Sequence, residues 1–266
     1  MQVWQAILLG FIQGLTEFFP ISSSGHLVLL QNWLQIQPPP FYFDVFIHLI
    51  SLLAIVYYFR NKLWQIVYQS DYKTLKSILI ATLPILVVGF LIQQHVESIF
   101  SSTLIAGTGL LITAGLNFYT AYRYQLPTSN NNQKLTYDNL SWLAALKIGL
   151  LQILAILPGI SRSGSTLLGG SLANLSRQQA FEFSFLLAIP TILAANIANA
   201  LLSNHNNPLL TNGVNLSLFL IGGGVCLITS LVCLNLLQKF LKQQKYHLFG
   251  FYCLILGIIS VFISLA

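Results

Sequence analysis

Gly10-Phe-Ile-Gln-Gly-Leu-Thr-Glu-Phe-Phe-Pro-Ile-Ser-Ser-Ser-Gly-His-Leu-Val-Leu29 is a largely apolar stretch broken in its middle by Pro20, three serines, Gly25 and His26, with Glu17 just before the break. A second stretch of the same plan begins at Gly149, a constant 139 positions later. Aligned without a gap, the two share Gly10/Gly149, Gln13/Gln152, Leu15/Leu154, Ile21/Ile160, Ser22/Ser161, Ser24/Ser163, Gly25/Gly164 and Leu29/Leu168. The chain is two copies of one plan, each with a polar break inside lipid-like sequence. Interrupted apolar helices at matching places in two halves point to a binding site near the membrane midplane.

The rest of the composition agrees with a bilayer. Of 266 residues, 55% are hydrophobic and 7% charged, and mean hydropathy is +0.74. That leaves too little polar surface for a soluble domain of this size, and the class is a polytopic all-α membrane protein. The start does not read as a cleavable signal peptide, because it lacks a basic leader and carries Glu17 within the apolar run. The net charge of +6 is not a nucleic-acid signature, since the basic residues fall between apolar segments. Cys226, Cys233 and Cys253 lie inside apolar segments without metal-ligand spacing and are expected to pack as free thiols.

Six stretches are long enough to span as helices: about 42–59, 75–94, 101–122, 179–202, 214–236 and 246–265. The broken stretches 4–35 and 143–174 remain. Arg60, Lys62, Lys73, Lys76, Arg123, Lys134, Lys147, Arg177, Lys239, Lys242 and Lys245 fall on one side if the six helices alternate, which is eleven of the twelve basic residues. By the positive-inside rule that side is cytoplasmic. The loops near 95–101 and 203–213 hold no Lys or Arg. Residues 143–174 have positive charge at both ends, and their 32 residues fall short of the roughly 40 that two full crossings need. The stretch is expected to enter and return as a re-entrant hairpin, and 4–35 to do the same from the other side. Each half then has one hairpin and three crossings, so the halves, 1–124 and 142–266, are inverted repeats joined by a cytoplasmic linker, 125–141. Both termini come out on the exterior side.

In the first break, Gln13 and Glu17 are four apart and share a helix face. Pro20 ends that helix or opens the next, and Ser22, Ser23 and Ser24 are cap candidates, with Gly25 allowing close backbone approach. Free amides at the start of the second half-helix suit an anion. An acid within a membrane segment is expensive, and Glu17 is a functional residue by default. Ser23 and His26 add a hydroxyl and an imidazole; caps and a bonded carbonyl are the bland alternative for them. In the second break, Pro158-Gly159-Ile160-Ser161-Arg162-Ser163-Gly164-Ser165-Thr166, Arg162 has no acid nearby in sequence. Its guanidinium requires Glu17 across the repeat interface, or a phosphate that it can grip in bidentate fashion. Ser161, Ser163 and Thr166 supply further hydroxyls for a phosphate cradle. Asp44 and His48 form an i,i+4 pair expected to satisfy each other or to line the entrance. Glu182 is expected to pair with Arg177 or Gln178, and Asn196 and Asn199 to serve helix contacts. His95, Glu97, His205 and His247 read as interfacial.

The two breaks resemble the signature motifs of the bacterial undecaprenyl-diphosphatase, or bacitracin-resistance, family. Gln13-Gly-Leu-Thr-Glu17, with the Ser and His that follow, is similar to its (Glu/Gln)-x-x-x-Glu motif. Pro158-Gly-Ile-Ser-Arg-Ser-Gly-Ser-Thr166 is similar to its Pro-Gly-x-Ser-Arg-Ser-x-x-Thr motif. Arg177–Pro190 and Phe43–Leu49 also resemble it, and the likeness runs along essentially the whole chain. The resemblance implies a hydrolase of the plasma membrane that removes the terminal phosphate of undecaprenyl diphosphate and recycles the carrier lipid of cell-wall synthesis. It also implies a divalent-cation requirement and a site opening to the outer face. Gln13 stands where many relatives have Glu, which puts a two-carboxylate metal site in question, and Leu49-Ile-Ser51 stands where Leu-Gly-Thr is commoner.

The expected assignment follows. Glu17, Ser23, His26 and Arg162 are catalytic. Ser22, Ser24, Ser161, Arg162, Ser163 and Thr166 hold phosphate. Glu17 and Gln13 hold Mg2+ or Ca2+. Ser23 is the candidate nucleophile, with water as the alternative. The partners are a polyprenyl diphosphate and membrane lipids, with no nucleic acid; a homodimer is compatible with the sequence. The rivals are a polyprenyl-phosphate flippase without hydrolase activity and a type-2 phosphatidic acid phosphatase, whose upstream Lys/Arg-Pro motif and downstream His-x-x-x-Asp are missing here.

Overall fold

The structure is a computed structural model and describes residues 1–36, 41–93, 99–126, 136–202, 216–242 and 245–265. His95, Glu97, His205 and most of the expected linker lie outside these residues. The described chain is all-helical. Five helices are long and apolar enough to cross a membrane, or six if one bent pair counts as a span.

Helix α1 (Val3–Thr16) stops just before the break, and α2 (Ser23–Trp33) restarts beyond Pro20. Ser22 caps α2, its hydroxyl accepting from the Gly25 amide at 3.3 Å. Helix α3 (Phe41–Tyr58) turns by 69° into α4 (Arg60–Tyr68). Then come α5 (Tyr72–Ile92), capped by Asp71, and α6 (Thr103–Gln125), capped by Ser102. In the second half, α7 (Trp142–Gln152) tightens into a 3-10 turn, Ile153–Ile156, before α8 (Arg162–Leu172). Ser161 caps α8 through the Gly164 amide at 3.0 Å. The long helices α9 (Arg177–Leu202), α10 (Leu216–Lys242) and α11 (Tyr246–Leu265) complete the chain.

Two segments differ from the sequence reading. Arg60–Tyr68, which lies between the expected spans 42–59 and 75–94, is helical, burying Ile66 while exposing Trp64, Val67 and Tyr68. A basic, aromatic helix of this kind suits the membrane interface. Within the linker, Tyr137–Asn139 form a packed 3-10 turn. Tyr137 is 1% exposed, its amide donates to Gln179 Oε1 at 3.2 Å and its hydroxyl to Glu182 at 3.1 Å. Burial and the Glu182 carboxylate push that phenol well above its ordinary pKa, so it remains a donor. Gln178 takes the other Glu182 oxygen at 3.0 Å, whereas Arg177 turns to the Tyr124 carbonyl at 3.1 Å. Asn196 bonds back to its own helix at Ile192.

The packing places the two breaks together. Helices α6 and α11 run along each other, α1 lies on α10, and α7 lies on α5. Helix α3 packs on α10 and α9, and α9 also packs on α5. Small residues make the closest crossings possible. A Cβ on Gly10 would lie 2.2 Å from the Gly222 carbonyl oxygen, and one on Gly149 would lie 2.4 Å from that of Ala81. At the tips, a Cβ on Gly25 would lie 2.7 Å from the Gly159 Cα. Helix α6 ties both tips down. Asn117 Nδ2 donates to the Pro20 carbonyl at 2.6 Å, and Thr113 Oγ1 donates to the Gly159 carbonyl at 2.7 Å. Thr113 Oγ1 also accepts from the Ser161 amide at 2.9 Å. Buried backbone in these non-helical segments therefore finds partners, as it must at membrane depth. Phe18, Phe59, Phe181 and Phe185 pack beneath the tips. All three cysteines are buried and free.

Candidate active site

Glu17 caps the C-terminus of α1 and is 8% exposed. Its carboxylate is where the two halves meet. Arg162 Nη2 donates to Oε1 at 3.0 Å across the repeat interface. Ser23 Oγ donates to Oε2 at 2.6 Å, and Gln13 Nε2 donates to the same oxygen at 3.1 Å. His48 Nε2 stands 3.8 Å from Oε2. An amide, a hydroxyl, an imidazole and a guanidinium from α1, α2, α3 and α8 thus converge on one carboxylate.

Each group is held from behind. Arg162 begins α8, its Nη1 donates to the Ser184 carbonyl at 3.2 Å, and its guanidinium lies 5.6 Å from the centre of the Phe185 ring. Two of its five N–H groups are so used, which leaves others for an anion. Ser23 is the first residue of α2 and follows Ser22, whose φ of +69° is a left-handed conformation costly for any residue but glycine. His48 Nδ1 donates to the Asp44 carbonyl at 2.7 Å, which aims Nε2 at Glu17. The Asp44 carboxylate accepts both its bonds from Gln31, at 2.9 and 2.7 Å, so Asp44 and His48 are not the side-chain pair expected.

The other candidate residues are placed as follows. His26 lies at the same tip but points elsewhere: Nδ1 donates to the Ser22 carbonyl at 2.7 Å, and Nε2 accepts from the Tyr252 hydroxyl at 2.7 Å. Ser22 and Ser24 hydroxyls share a 3.3 Å bond. The Ser161 and Ser163 hydroxyls share one of 3.1 Å, and Ser163 also donates to the Phe19 carbonyl. Thr166 Oγ1 is bound to the Arg162 carbonyl at 2.9 Å and to Ser184 Oγ at 2.6 Å. These hydroxyls reach a phosphate only by giving up bonds within the protein.

Gln13 is 0% exposed, and its Nε2 serves both Glu17 and Ser51, the latter at 3.2 Å. Its Oε1 has no partner among the described residues. A buried amide oxygen left unpaired one helical turn from a carboxylate fits a hard cation that prefers neutral and charged oxygens. Among the described residues no cluster of three or more His, Cys, Asp or Glu side chains is built to hold a metal. A cation there would depend on water and ligand oxygens for most of its shell, as Mg2+ at phosphate sites commonly does. The sequence reading passed over Ser184, Asn117 and Thr113, placed His48 only beside Asp44 or at the entrance, and noted Ser51 only as a departure from the family pattern. Their signal was polar or ionisable side chains within apolar spans.

The arrangement defines the class first: a multi-pass, all-helical membrane protein in which a buried carboxylate and a guanidinium meet where two interrupted helices touch. The chain belongs to the family described as bacitracin resistance protein BacA, which matches residues 6–259. It is 34% identical over 267 residues to the undecaprenyl-diphosphatase of Campylobacter hominis, covering 100% of both chains. It is 37% identical over 265 residues to that of Thermosipho africanus (97% of this chain, 99% of the relative) and 35% identical over 265 residues to that of Aquifex aeolicus (97% of each).

Proposed function

We propose that this protein is an undecaprenyl-diphosphatase, releasing inorganic phosphate from undecaprenyl diphosphate and returning undecaprenyl phosphate to cell-wall synthesis, with bacitracin resistance as a consequence. The activity is the one named for full-length relatives. The observation that carries the mechanism is the 2.6 Å bond from Ser23 Oγ to a carboxylate that also holds Arg162.

Arg162 takes the terminal phosphate with its remaining N–H groups and offsets the charge that develops on its oxygens. Ser23 Oγ attacks the terminal phosphorus as its proton passes to Glu17. The bond from that phosphorus to the bridging oxygen breaks, and undecaprenyl phosphate leaves with the bonding pair. Water then attacks the phosphoserine, the Ser23 oxygen recovers a proton through Glu17, and inorganic phosphate departs. His48 steadies the Glu17 carboxylate, and His26 holds the Ser22 carbonyl and with it the start of α2. Ser22 and Ser24, with Ser161, Ser163 and Thr166, shape the two helix starts around the phosphate. Glu17 and the Gln13 amide oxygen would hold a Mg2+ or Ca2+ ion, which supplies charge neutralisation at the diphosphate when bound.

In the membrane, α1 and α2 re-enter from the outer side and α7 and α8 from the inner side. Helices of 14 and 11 residues rise only about 21 and 16 Å, short of a hydrocarbon core of about 30 Å. Repeat symmetry is supported by α2 and α8, which have equal length, start 139 residues apart and carry the same serine cap. It is supported also by the exchange of partners, α1 on α10 and α7 on α5. The halves 1–124 and 142–266 are inverted about the linker 125–141, with both termini outside.

The test is phosphate release from undecaprenyl diphosphate by purified protein in detergent, with and without chelator. Wild-type protein should release phosphate, and the chelator should suppress it. Transport of the lipid phosphate without any release would assign the fold to a flippase instead.

A further inference from the structure

At the end of the molecule where α5 and α7 begin, a cavity of about 320 Å³ lies between the first turns of α5, the 3-10 turn at 137–139 and Trp142. Lys73, Lys76, Ser77 and Ile80 all line it. They are spaced i, i+3, i+4 and i+7, one stripe of a helix. The stripe is ordered by polarity: two exposed lysines at the helix start, a buried serine, then an isoleucine one turn deeper.

The polar part is built for an anion. Neither lysine has an ion-pair partner among the described residues. The carboxylate in the lining, Asp138, has Oδ1 engaged by Thr74 Oγ1 at 3.1 Å. Ser77 is 5% exposed, and its hydroxyl has no hydrogen-bond partner among the described residues. Ser77 lines the cavity, where an oxygen ligand seated beneath the lysines would accept its hydrogen.

Apart from Asn139, whose amide donates to Thr136 Oγ1, the rest of the lining is apolar. Ile80, Leu140 and Trp142 form the deeper wall, and Trp142 is 63% exposed, as an aromatic at the headgroup level is. Leu79, Leu83 and Leu143 are also exposed on α5 and α7. A free phosphate has no use for such a wall, whereas a phosphate ester carrying acyl chains fits both parts.

We propose that this cavity binds one anionic phospholipid, its phosphate between Lys73 and Lys76 with Ser77, and a chain along Ile80 and Trp142. Basic pockets between membrane helices bind lipid headgroups in this way. The site shares no residue with the Glu17–Arg162 cluster. It anchors the junction of α5, α7 and the packed linker turn to the leaflet.

The experiment is native mass spectrometry of the full-length detergent-purified protein titrated with phosphatidylglycerol or phosphatidylcholine, with elution volume as the check on folding. Wild-type protein should retain one saturable phosphatidylglycerol and bind phosphatidylcholine far more weakly. Each lysine removed should cost about fivefold, so Lys73→Gln/Lys76→Gln should lose most of the adduct, and Ser77→Ala a smaller part. Millimolar inorganic phosphate should leave the adduct intact. Equal binding of the two lipids, or unchanged retention in the double variant, would overturn the proposal. Displacement by inorganic phosphate would show a simple anion site and overturn the lipid assignment.

Discussion

Glu17 takes three hydrogen bonds and a nearby imidazole on one buried carboxylate. The roles of its neighbours separate by chemistry. Ser23→Ala removes the proposed nucleophile and leaves the remaining contacts, and phosphate release should fall by at least about 10³-fold with the protein still folded. Residual release well above that level would assign the attack to water, with Ser23 as a ligand. Arg162→Lys keeps a charge but loses the planar fork, and should cost about 10²-fold or more in kcat/KM. Glu17→Gln keeps the side chain's size but sets an amide N–H donor against the donors that one carboxylate oxygen accepts, and should cost as much. His48 touches the cluster only through a 3.8 Å contact, so His48→Ala should lower kcat about tenfold, which corresponds to about 1.4 kcal/mol. Steady-state assays of phosphate release separate these outcomes, and equal losses at Ser23 and His48 would contradict the ranking.

At the level of elements, the tips depend on α6. Asn117→Ala leaves the buried Pro20 carbonyl without its 2.6 Å partner, and should cost about 1–3 kcal/mol of stability, measured by denaturant unfolding in detergent. Gly10→Ala and Gly149→Ala each drive a methyl into a facing backbone carbonyl, and should destabilise by about 1–3 kcal/mol. Gly115→Ala, with nothing within 4 Å of the added atom, is the control and should be neutral or slightly stabilising. The spans of α3, α5, α6, α9, α10 and α11 were legible in the sequence because apolar windows of membrane length carry a strong signal. The meeting of Glu17 and Arg162 was legible because an unpaired guanidinium in such a chain requires an anion. Helix α4 was not, because Arg60, Asn61, Lys62 and Gln65 dilute its apolar face below any span threshold. Nor were His48 and Ser51, since their approach to Glu17 and Gln13 follows from how α3 rotates against α1, which one-dimensional spacing does not specify. The direction of His26, towards Tyr252 and not Glu17, depends on α11, a helix 226 positions away in sequence.

At the scale of the whole molecule, charge and repeat make one topological prediction. Eleven of the twelve basic residues sit at one end if the spans alternate, and positive charge is retained on the cytoplasmic side. That places both ends of each short-helix pair on one face, outside for α1–α2 and inside for α7–α8. The native cysteines are buried, so an introduced cysteine can be read with a membrane-impermeant maleimide against a low background. Gln2 and Asn32 are exposed near the two ends of the first pair, as Ser141 and Leu172 are near those of the second. Gln2→Cys and Asn32→Cys should both label in intact cells. Ser141→Cys and Leu172→Cys should label only after permeabilisation. If α1–α2 crossed as one broken span, Asn32→Cys would label only after permeabilisation, and every later element would change sides, so that Ser141→Cys and Leu172→Cys would label in intact cells. The two tips would still touch, because their contact is made within the protein, but the halves would no longer be related by inversion. Labelling of Gln2 and Asn32 from opposite sides would therefore remove the re-entrant topology while leaving the Glu17–Arg162 pair in place.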